Sequence, residues 1–222
     1  VPHRLYGRDA ELEELRNSFE IVSEGGALVW LVGGPSGVGK TSLIHKISNL
    51  ITAKKGYFIS GRFGPFMQGT PFQGLSQAFG ELVKQLLVEP QQKLDFFKRR
   101  LLSALGGNGR LIIELVPELE KIIGPQPDVS ELNPREAQNR FRLTFREFFK
   151  ALAGPGFPLV VFLDDLQWSD AATLDLLEYV LEAGDLHYVF IIGAYRESEA
   201  EAIRPYLQKL ESLTGNRGLS IR

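Results

Sequence analysis

The chain has 222 residues, 44% of them hydrophobic, and a formal net charge of −2 at pH 7. This composition predicts one globular domain, and the charge gives no global indication of a nucleic-acid or anionic-membrane partner. The absence of cysteine excludes disulfides and thiol chemistry and is consistent with a reducing compartment, so we expect a cytoplasmic protein. No apolar run approaches the roughly 18 residues that a membrane-spanning helix needs.

Helical and strand-like patterns alternate along the chain. Residues 9–22 place apolar side chains on one helical face, and the buried-strand run ALVWLV (27–32) follows. The further predicted elements are a helix over 40–53, a strand GYFISGR (56–62), a strand at 158–164, a helix that begins at Ser169 or Asp170, and a strand at 186–194. This alternation predicts an α/β fold with a parallel sheet covered by helices on both faces.

One long span interrupts the alternation. About 90 residues separate the strand near residue 60 from the strand at 158–164, whereas a simple crossover needs about a dozen. Apolar residues keep helical spacing through much of this span, and GGNG (106–109) and GPQPDVSELNP (124–134) punctuate it. We therefore predict a helical insertion of three or four helices, over about residues 65–155, on the α/β core.

A glycine-rich segment, GGPSGVGKTS (33–42), follows the first predicted strand and fits the phosphate-loop pattern G-x-x-x-x-G-K-[ST]. Glycines let successive N–H groups point at one anion, and the helix that begins near Gly39 adds the positive end of its dipole. Lys40 can contact the β- and γ-phosphates, and the Thr41 hydroxyl can bind Mg²⁺. A chance Gly-rich turn is the weaker alternative. The predicted nucleotide-binding residues of the loop are Gly34, Pro35, Ser36, Gly37, Val38, Gly39, Lys40, Thr41 and Ser42.

Two adjacent aspartates end the buried strand at 158–164. Asp164 can hold Mg²⁺, because nucleotides bind at the edge of the sheet where the carboxyl ends of parallel strands meet. Asp165 points elsewhere and can polarise the water that attacks the γ-phosphate. Alternatively, these acids only begin a turn before Asp170 caps the next helix, but two adjacent carboxylates without a cation would repel each other. We predict that Asp164 is a metal ligand and Asp165 the catalytic base.

The motifs of other phosphate-loop proteins are missing. The GTPase patterns N-K-x-D and D-x-x-G are absent, and an acid directly follows Asp164. That acid, together with a strand ending in GAYRE, favours an ATPase in which an extra strand lies between the phosphate-loop strand and the strand ending at Asp164. The strand 186–194 would then lie beside the phosphate loop and bring Arg196 near the γ-phosphate as a sensor, completing a catalytic set with Lys40 and Asp165. A surface arginine that closes a loop is the alternative for Arg196.

Several segments resemble one family. LYGRDAELEEL (5–15), the phosphate loop, FLDDLQWSDAATLDLL and GAYRESE are similar to the signature of STAND-class signal-transduction ATPases, which are related to AAA+ proteins. GRFGPFMQGTPFQGLSQAFGELVKQLL and REAQNRFRLTFREFFKALA look closest to the ATPase domains of large bacterial regulators. Those regulators join a Ser/Thr protein kinase domain to the ATPase and often to a sensor histidine kinase. The resemblance covers almost the whole chain.

The resemblance implies a switch that is off with ADP and on with ATP and Mg²⁺, with other domains of the parent chain as partners and a nucleotide-dependent homo-oligomer as output. It places Gly7 and Arg8 near the adenine, although Gly7 could simply start the first helix. In such proteins a winged helix and a helical lid follow the core. We expect this chain, one domain over 1–222, to be a fragment that ends before that lid and hydrolyses ATP slowly.

Two other interpretations stay open. In the first, the domain binds nucleotide as a regulator without significant hydrolysis, and Asp165 is not a working base. In the second, it is a DNA-associated AAA+ loader of the origin-recognition type, which shares the GR…E start and the phosphate loop. A basic stripe of Arg135, Arg142, Arg146 and Lys150 could serve such a role. The acidic net charge favours a solvated helix flank instead, so we expect no nucleic-acid partner.

Overall fold

The structure is a computed structural model that describes residues 8–65, 70–213 and 217–220. The strands of the described residues form one sheet in which every neighbouring pair is parallel. They are, in chain order, β1 Ala27–Gly33, β2 Tyr57–Arg62, β3 Leu159–Asp164, β4 Val189–Ala194 and β5 Arg217–Ser220. The order across the sheet is β2-β3-β4-β1-β5, so β4 lies between β1 and β3. This confirms the predicted extra strand beside the phosphate-loop strand.

Helices cover both faces of the sheet. In the described part of the chain they are α1 Asp9–Ser23, α2 Lys40–His45, α3 Ser48–Ala53, α4 Gln73–Leu87, α5 Gln91–Leu105, α6 Gly109–Leu115, α7 Glu120–Ile123, α8 Pro134–Ala151, α9 Ala171–Glu182 and α10 Arg204–Ser212. Strand side chains point alternately to the two faces. Trp30 and Val32 of β1 pack with α1, α2 and α3, whereas Val29 and Leu31 join the larger cluster on the other face. The predicted three-layer α/β fold is confirmed.

The helical insertion, α4 to α8, lies between β2 and β3. The prediction of three or four helices was wrong, because five α-helices occupy this span of the described residues. The two short ones, α6 and α7, are separated by a 3₁₀ turn that begins at Pro117, whose ring cannot continue an α-helix. Segments this short carry too few apolar positions for a periodicity to separate them.

The single helix predicted over 40–53 is also wrong, because the structure divides it into α2 and α3. The break falls at Lys46 and Ile47, whose N–H groups bond three residues back instead of four. The Ser48 hydroxyl donates to the carbonyl of His45 at 2.7 Å. A side-chain hydroxyl that takes a backbone carbonyl competes with the helical ladder, which explains the interruption.

The elements around β4 follow the sequence prediction with small shifts. Asp170 caps α9 by accepting the N–H of Thr173 at 2.8 Å, as one of the two predicted caps. β4 begins at Val189 rather than residue 186, because Tyr188 has a left-handed backbone with φ of 61°. Within the described residues, no helix combines the length and the apolar character that a bilayer crossing requires.

Candidate active site

The loop between β1 and α2 is built on glycine backbone freedom. Gly34, Gly37 and Gly39 have φ of 152°, 77° and 94°, values that residues with a Cβ rarely adopt. Within the described part of the chain, no atom lies within 4 Å of where a Cβ on Gly37 would stand. The space beside this glycine is therefore open, and its φ rather than its packing explains why glycine is needed there.

Lys40, the first residue of α2, is bound to its own loop. Lys40 is 8% exposed, and its Nζ donates to the carbonyls of Gly34 and Pro35, each at 2.8 Å. Burial lowers the pKa of the Lys40 ammonium, and the nearby Asp164 and Asp165 carboxylates oppose that shift. A buried cation held by two neutral carbonyls can exchange them for phosphate oxygens, which bind an ammonium more strongly because they are charged.

Thr41 and Asp164 lie close enough to share one ligand. The Thr41 hydroxyl donates to Asp164 Oδ2 at 2.8 Å, across the gap between the phosphate loop and the end of β3. A hydroxyl and a carboxylate side by side are oxygen ligands of the kind that Mg²⁺ takes together with substrate phosphates. The pair therefore fits the predicted metal site, and Thr41 and Asp164 are the residues that would hold the ion.

The Asp165 side chain has close contacts to three other described side chains. It has a left-handed backbone with φ of 58°, and its side chain is 13% exposed. Arg62 donates to its Oδ2 from Nε at 3.0 Å and from a terminal nitrogen at 2.9 Å. On Oδ1, Gln167 Nε2 donates at 3.0 Å and Arg196 Nε lies at 3.4 Å. Arg196 also donates to Glu199 at 3.0 Å.

These groups surround a single cavity of about 230 Å³ at the carboxyl edge of the sheet. It is lined by Ser36, Gly37, Gly39, Lys40, Thr41, Ser42, Arg62, Asp164, Asp165 and Arg196. The structure thus brings together the predicted metal, base, sensor and most of the predicted phosphate-binding residues. Their concentration in one polar cavity is an arrangement that can bind a polyphosphate and a divalent cation.

Three predicted residues of the loop do not line this cavity. Gly34 and Pro35 contribute their carbonyls to Lys40, and Val38 is partly buried against the core cluster under α2. The structure therefore gives Gly34 and Pro35 a supporting place beneath the lysine and gives the Val38 side chain a packing role.

The two residues expected near the adenine are not both described. Gly7 lies outside the described residues. Arg8 immediately precedes α1 and pairs with Glu11 at 2.8 Å, and it does not line the phosphate cavity. The placement of Arg8 near the adenine therefore stays a prediction.

Two site residues were missed from the sequence. Arg62 is the last residue of β2 and is paired in register with Asp164 of β3. Its place at the end of a predicted strand was the available signal, because the carboxyl ends of parallel strands meet at one edge. Gln167 carried no pattern of its own. Its contacts with Asp165 and with the Arg196 N–H depend on how the turn after β3 packs against β4.

A parallel sheet with the phosphate loop after β1, the acid at the end of β3 and an intervening β4 defines a phosphate-loop NTPase. Residues 4–192 match the family described as AAA ATPase domain, and the chain belongs to that family. Among solved structures, the Cdc6p of Pyrobaculum aerophilum aligns with all of this chain and 46% of its own, with a TM-score of 0.55. Sequence identity there is 16%, so the likeness concerns the fold.

Two longer proteins contain similar sequence. Hybrid signal transduction histidine kinase G of Dictyostelium discoideum is 38% identical over 183 residues, which are 82% of this chain and 5% of that protein. Histidine protein kinase 1 of Candida albicans is 24% identical over 186 residues, 76% of this chain and 7% of that protein. The chain therefore spans only a small part of the length of either relative.

Proposed function

We propose that the chain is an Mg²⁺-dependent ATP-binding and ATP-hydrolysing switch domain of STAND type within a multidomain, cytoplasmic signalling regulator. The observation that carries this proposal is the cavity where Lys40, the Thr41–Asp164 pair, Asp165 and Arg196 meet. Membership of the AAA ATPase domain family supports nucleotide binding. The similarity to segments of two long histidine kinases supports a place among signalling domains of one chain, with those domains as partners.

The chemistry follows from the charges around the cavity. Lys40 and Arg196 bind phosphate oxygens, and Thr41 and Asp164 would hold an Mg²⁺ ion that would neutralise phosphate charge. Asp165 accepts a proton from water as the water oxygen bonds to the γ-phosphorus. The bond from that phosphorus to the bridging oxygen breaks, and its electron pair leaves with ADP. The products are ADP, phosphate and a protonated Asp165 that returns its proton to solvent.

One observation favours the second candidate, a nucleotide-binding regulator without significant hydrolysis. Both oxygens of Asp165 are engaged, by Arg62 on one side and by Gln167 and Arg196 on the other. A carboxylate whose two oxygens already accept hydrogen bonds from neighbouring donors is poorly placed to accept a proton from water. Hydrolysis therefore requires that phosphate oxygens draw at least one arginine away from Asp165, and a chain in which this does not happen would bind ATP and keep it.

Three of the four residues in the predicted basic stripe, all but the exposed Arg135, give no support to nucleic-acid binding. Arg146 and Lys150 donate to Asp185 at 2.6 and 2.9 Å, and Arg142 lies over the ring of Tyr179. These cations are engaged inside the domain instead of forming a phosphate-binding face. We therefore expect no DNA binding at physiological salt, which fluorescence anisotropy with labelled duplex and single-stranded DNA would check.

The proposed function is tested by phosphate release and nucleotide binding in the chain and in Asp165→Asn. We expect both proteins to bind ATP with similar affinity in the presence of Mg²⁺, and Asp165→Asn to release phosphate about 10²- to 10⁴-fold more slowly. Thr41→Val should lose the Mg²⁺ dependence of binding, whereas Thr41→Ser, which keeps the hydroxyl, should retain it. Tight binding with no release by the unchanged chain would select the regulator without hydrolysis.

A further inference from the structure

Gln167 is a buried amide in the turn that follows β3. The residue is 7% exposed, and both ends of its side chain are used. Its Nε2 donates to Asp165 Oδ1 at 3.0 Å, and its Oε1 accepts the backbone N–H of Arg196 at 3.1 Å. Reversing the amide would bring oxygen against carboxylate and nitrogen against N–H, so the two partners fix its orientation. Gln167 thus connects Asp165 to the segment after β4.

The turn that carries Gln167 is held closely against β4. After the left-handed Asp165 the chain forms the 3₁₀ turn Leu166–Trp168, and the N–H of Trp168 bonds to the carbonyl of Asp165 at 2.9 Å. Leu166 is 2% exposed and lies against Gly193, where an added Cβ would stand 2.4 Å from its Cδ1. The position of the amide therefore follows from close packing beneath it, and Gln167 has little freedom to turn away.

We propose that Gln167 is a positioning residue that holds the Asp165 carboxylate and links it to the Arg196 segment. The inference rests on the proposed hydrolysis, in which Asp165 accepts the proton. Gln167 is not among the described residues that line the cavity, so it acts through Asp165 instead of touching the phosphates. As a neutral donor it fixes Oδ1 without the charge that an arginine adds. When phosphate draws Arg62 away, Oδ2 is the oxygen left to accept a proton.

The link to Arg196 has a second consequence. Arg196 belongs to the cavity lining, and its backbone N–H is bound to the same amide that holds Asp165. A shift of the Arg196 segment when its side chain binds phosphate is therefore transmitted through one side chain to the orientation of Asp165. The orientation of the base and the contact of Arg196 with phosphate are then coupled through Gln167.

The test compares Gln167→Met with Gln167→Glu in the whole chain. Methionine keeps the volume and removes both hydrogen bonds, and we expect phosphate release to fall about ten-fold or more while ATP affinity changes less than about two-fold. Glutamate keeps the acceptor for the Arg196 N–H but replaces the donor to Asp165 by an anion. Release by Gln167→Glu should therefore be slow at neutral pH, with its optimum moved to lower pH, where the introduced carboxyl is protonated and can donate to Asp165.

A matched control is Gln85→Met. Gln85 is a partly buried amide whose Nε2 donates to the carbonyl of Phe58 at 2.8 Å, near the amino end of β2, and neither residue lines the cavity. The same substitution there should leave release and its pH profile unchanged. A loss of release in Gln85→Met equal to that in Gln167→Met would overturn the positioning role, because it would trace the effect to loosened packing.

Combining Gln167→Met with Asp165→Asn separates this inference from the proposed function. We expect Gln167→Met to slow release about ten-fold in the unchanged background and less than about two-fold in the Asp165→Asn background, since it acts through that carboxylate. Equal losses in both backgrounds, or normal release by Gln167→Met beside a slow Asp165→Asn, overturn the Gln167 role alone. Normal release by Asp165→Asn, or binding without release by the unchanged chain, overturns both.

A readout without nucleotide completes the test. In a nitrogen-15-labelled chain, the Gln167 side-chain amide resonances are identified by their disappearance in Gln167→Met. We expect them to move in Asp165→Asn, because the charged acceptor is lost, and to stay in place in the exposed control Asp128→Asn. Resonances that do not respond to Asp165→Asn would contradict the hydrogen bond on which the inference depends.

Discussion

Different interactions stabilise two regions of the molecule: the edge of the sheet that carries the candidate site, called here the nucleotide edge, and the helical insertion. At the nucleotide edge, charged side chains at or just after the ends of β2, β3 and β4 lie within hydrogen-bond distance of one another around a cavity, beside a loop of glycines with positive φ. In the insertion, rings pack on rings, with Phe79 of α4 surrounded by three phenylalanines of α8. The first arrangement places charged groups where a charged ligand can bind, and the second buries apolar surface. Substitutions in the two regions should therefore separate binding from stability.

The largest expected effect is on stability, from the insertion. Phe79 is fully buried, and its ring centroid lies 5.7, 5.2 and 5.4 Å from those of Phe145, Phe148 and Phe149. Phe79→Ala removes these edge contacts and leaves a cavity, so it should lower the free energy of unfolding by about 3–5 kcal/mol. Urea unfolding followed by circular dichroism measures this change.

The control for Phe79 is another ring of the insertion. Phe96 of α5 is 39% exposed, and Phe96→Ala should cost less than about 1.5 kcal/mol. The variant Phe79→Ala should still bind ATP at temperatures where it is folded. A folded Phe79→Ala with strongly weakened ATP binding would break the comparison, because it would mean that the insertion shapes the nucleotide site directly.

The second effect is on binding, from the nucleotide edge. Lys40→Ala should weaken ATP binding about 10- to 100-fold, because it removes a charge-assisted contact to phosphate. The same change should alter the free energy of unfolding by less than about 1 kcal/mol, since the ammonium is held by only two neutral carbonyls at a cost of desolvation. Titration with a fluorescent ATP analogue and urea unfolding give the two numbers. The control is Lys46→Ala, an exposed lysine between α2 and α3.

A large loss of stability in Lys40→Ala would contradict this separation. It would indicate that the lysine mainly closes its loop in the absence of nucleotide and that the ordering of the glycine loop depends on it. The expected result is instead a folded protein with an empty phosphate loop.

The same contrast explains which features could be predicted from the sequence. Buried strands are continuous apolar runs, and the phosphate loop is a local pattern, so β1, β3 and the residues of the loop were predictable from neighbours in the chain. Arg62 and Gln167 were not, because their contacts to Asp165 depend on the β2–β3 register and on the turn that packs against Gly193. Local hydrophobic periodicity gives no information about such contacts between distant segments.

The errors in the helices have a similar origin. The break between α2 and α3 depends on the Ser48 hydroxyl, which donates to the His45 carbonyl. Hydrophobic periodicity does not predict such a hydrogen bond. The short helices α6 and α7 are fixed by packing under α4, α5 and α8 rather than by their own pattern. Long, strongly periodic helices such as α8 were recognisable because many turns repeat the same signal.

The smallest expected effect is a pH dependence where the helical insertion meets the core, near the amino end of β4 and away from the nucleotide edge. Asp185, in the segment before β4, accepts hydrogen bonds from Arg146 at 2.6 Å and from Lys150 at 2.9 Å, both on α8. Burial of Asp185 raises its pKa, but the hydrogen bonds from Lys150 and Arg146 outweigh burial and leave the pKa below the ordinary 3.8. A carboxyl whose pKa is lowered on folding stabilises the protein above its unfolded pKa and loses that contribution as the pH falls through the folded value.

Asp185→Asn should therefore lower the free energy of unfolding by about 1 kcal/mol at pH 7, a modest value because about a third of the side chain is exposed. The difference from the unchanged chain should persist down to about pH 4 and shrink below it, where the wild-type carboxyl takes up its proton. Urea unfolding at pH 7, 5, 4 and 3 measures this, with the highly exposed Asp128→Asn as the control. A difference that stayed constant down to pH 3 would mean that the shape of the Asp185 contact, and not its charge, joins α8 to the sheet. A shrinking difference would show that the contact between the insertion and the core at Asp185 is electrostatic, although the insertion itself is ordered by aromatic packing.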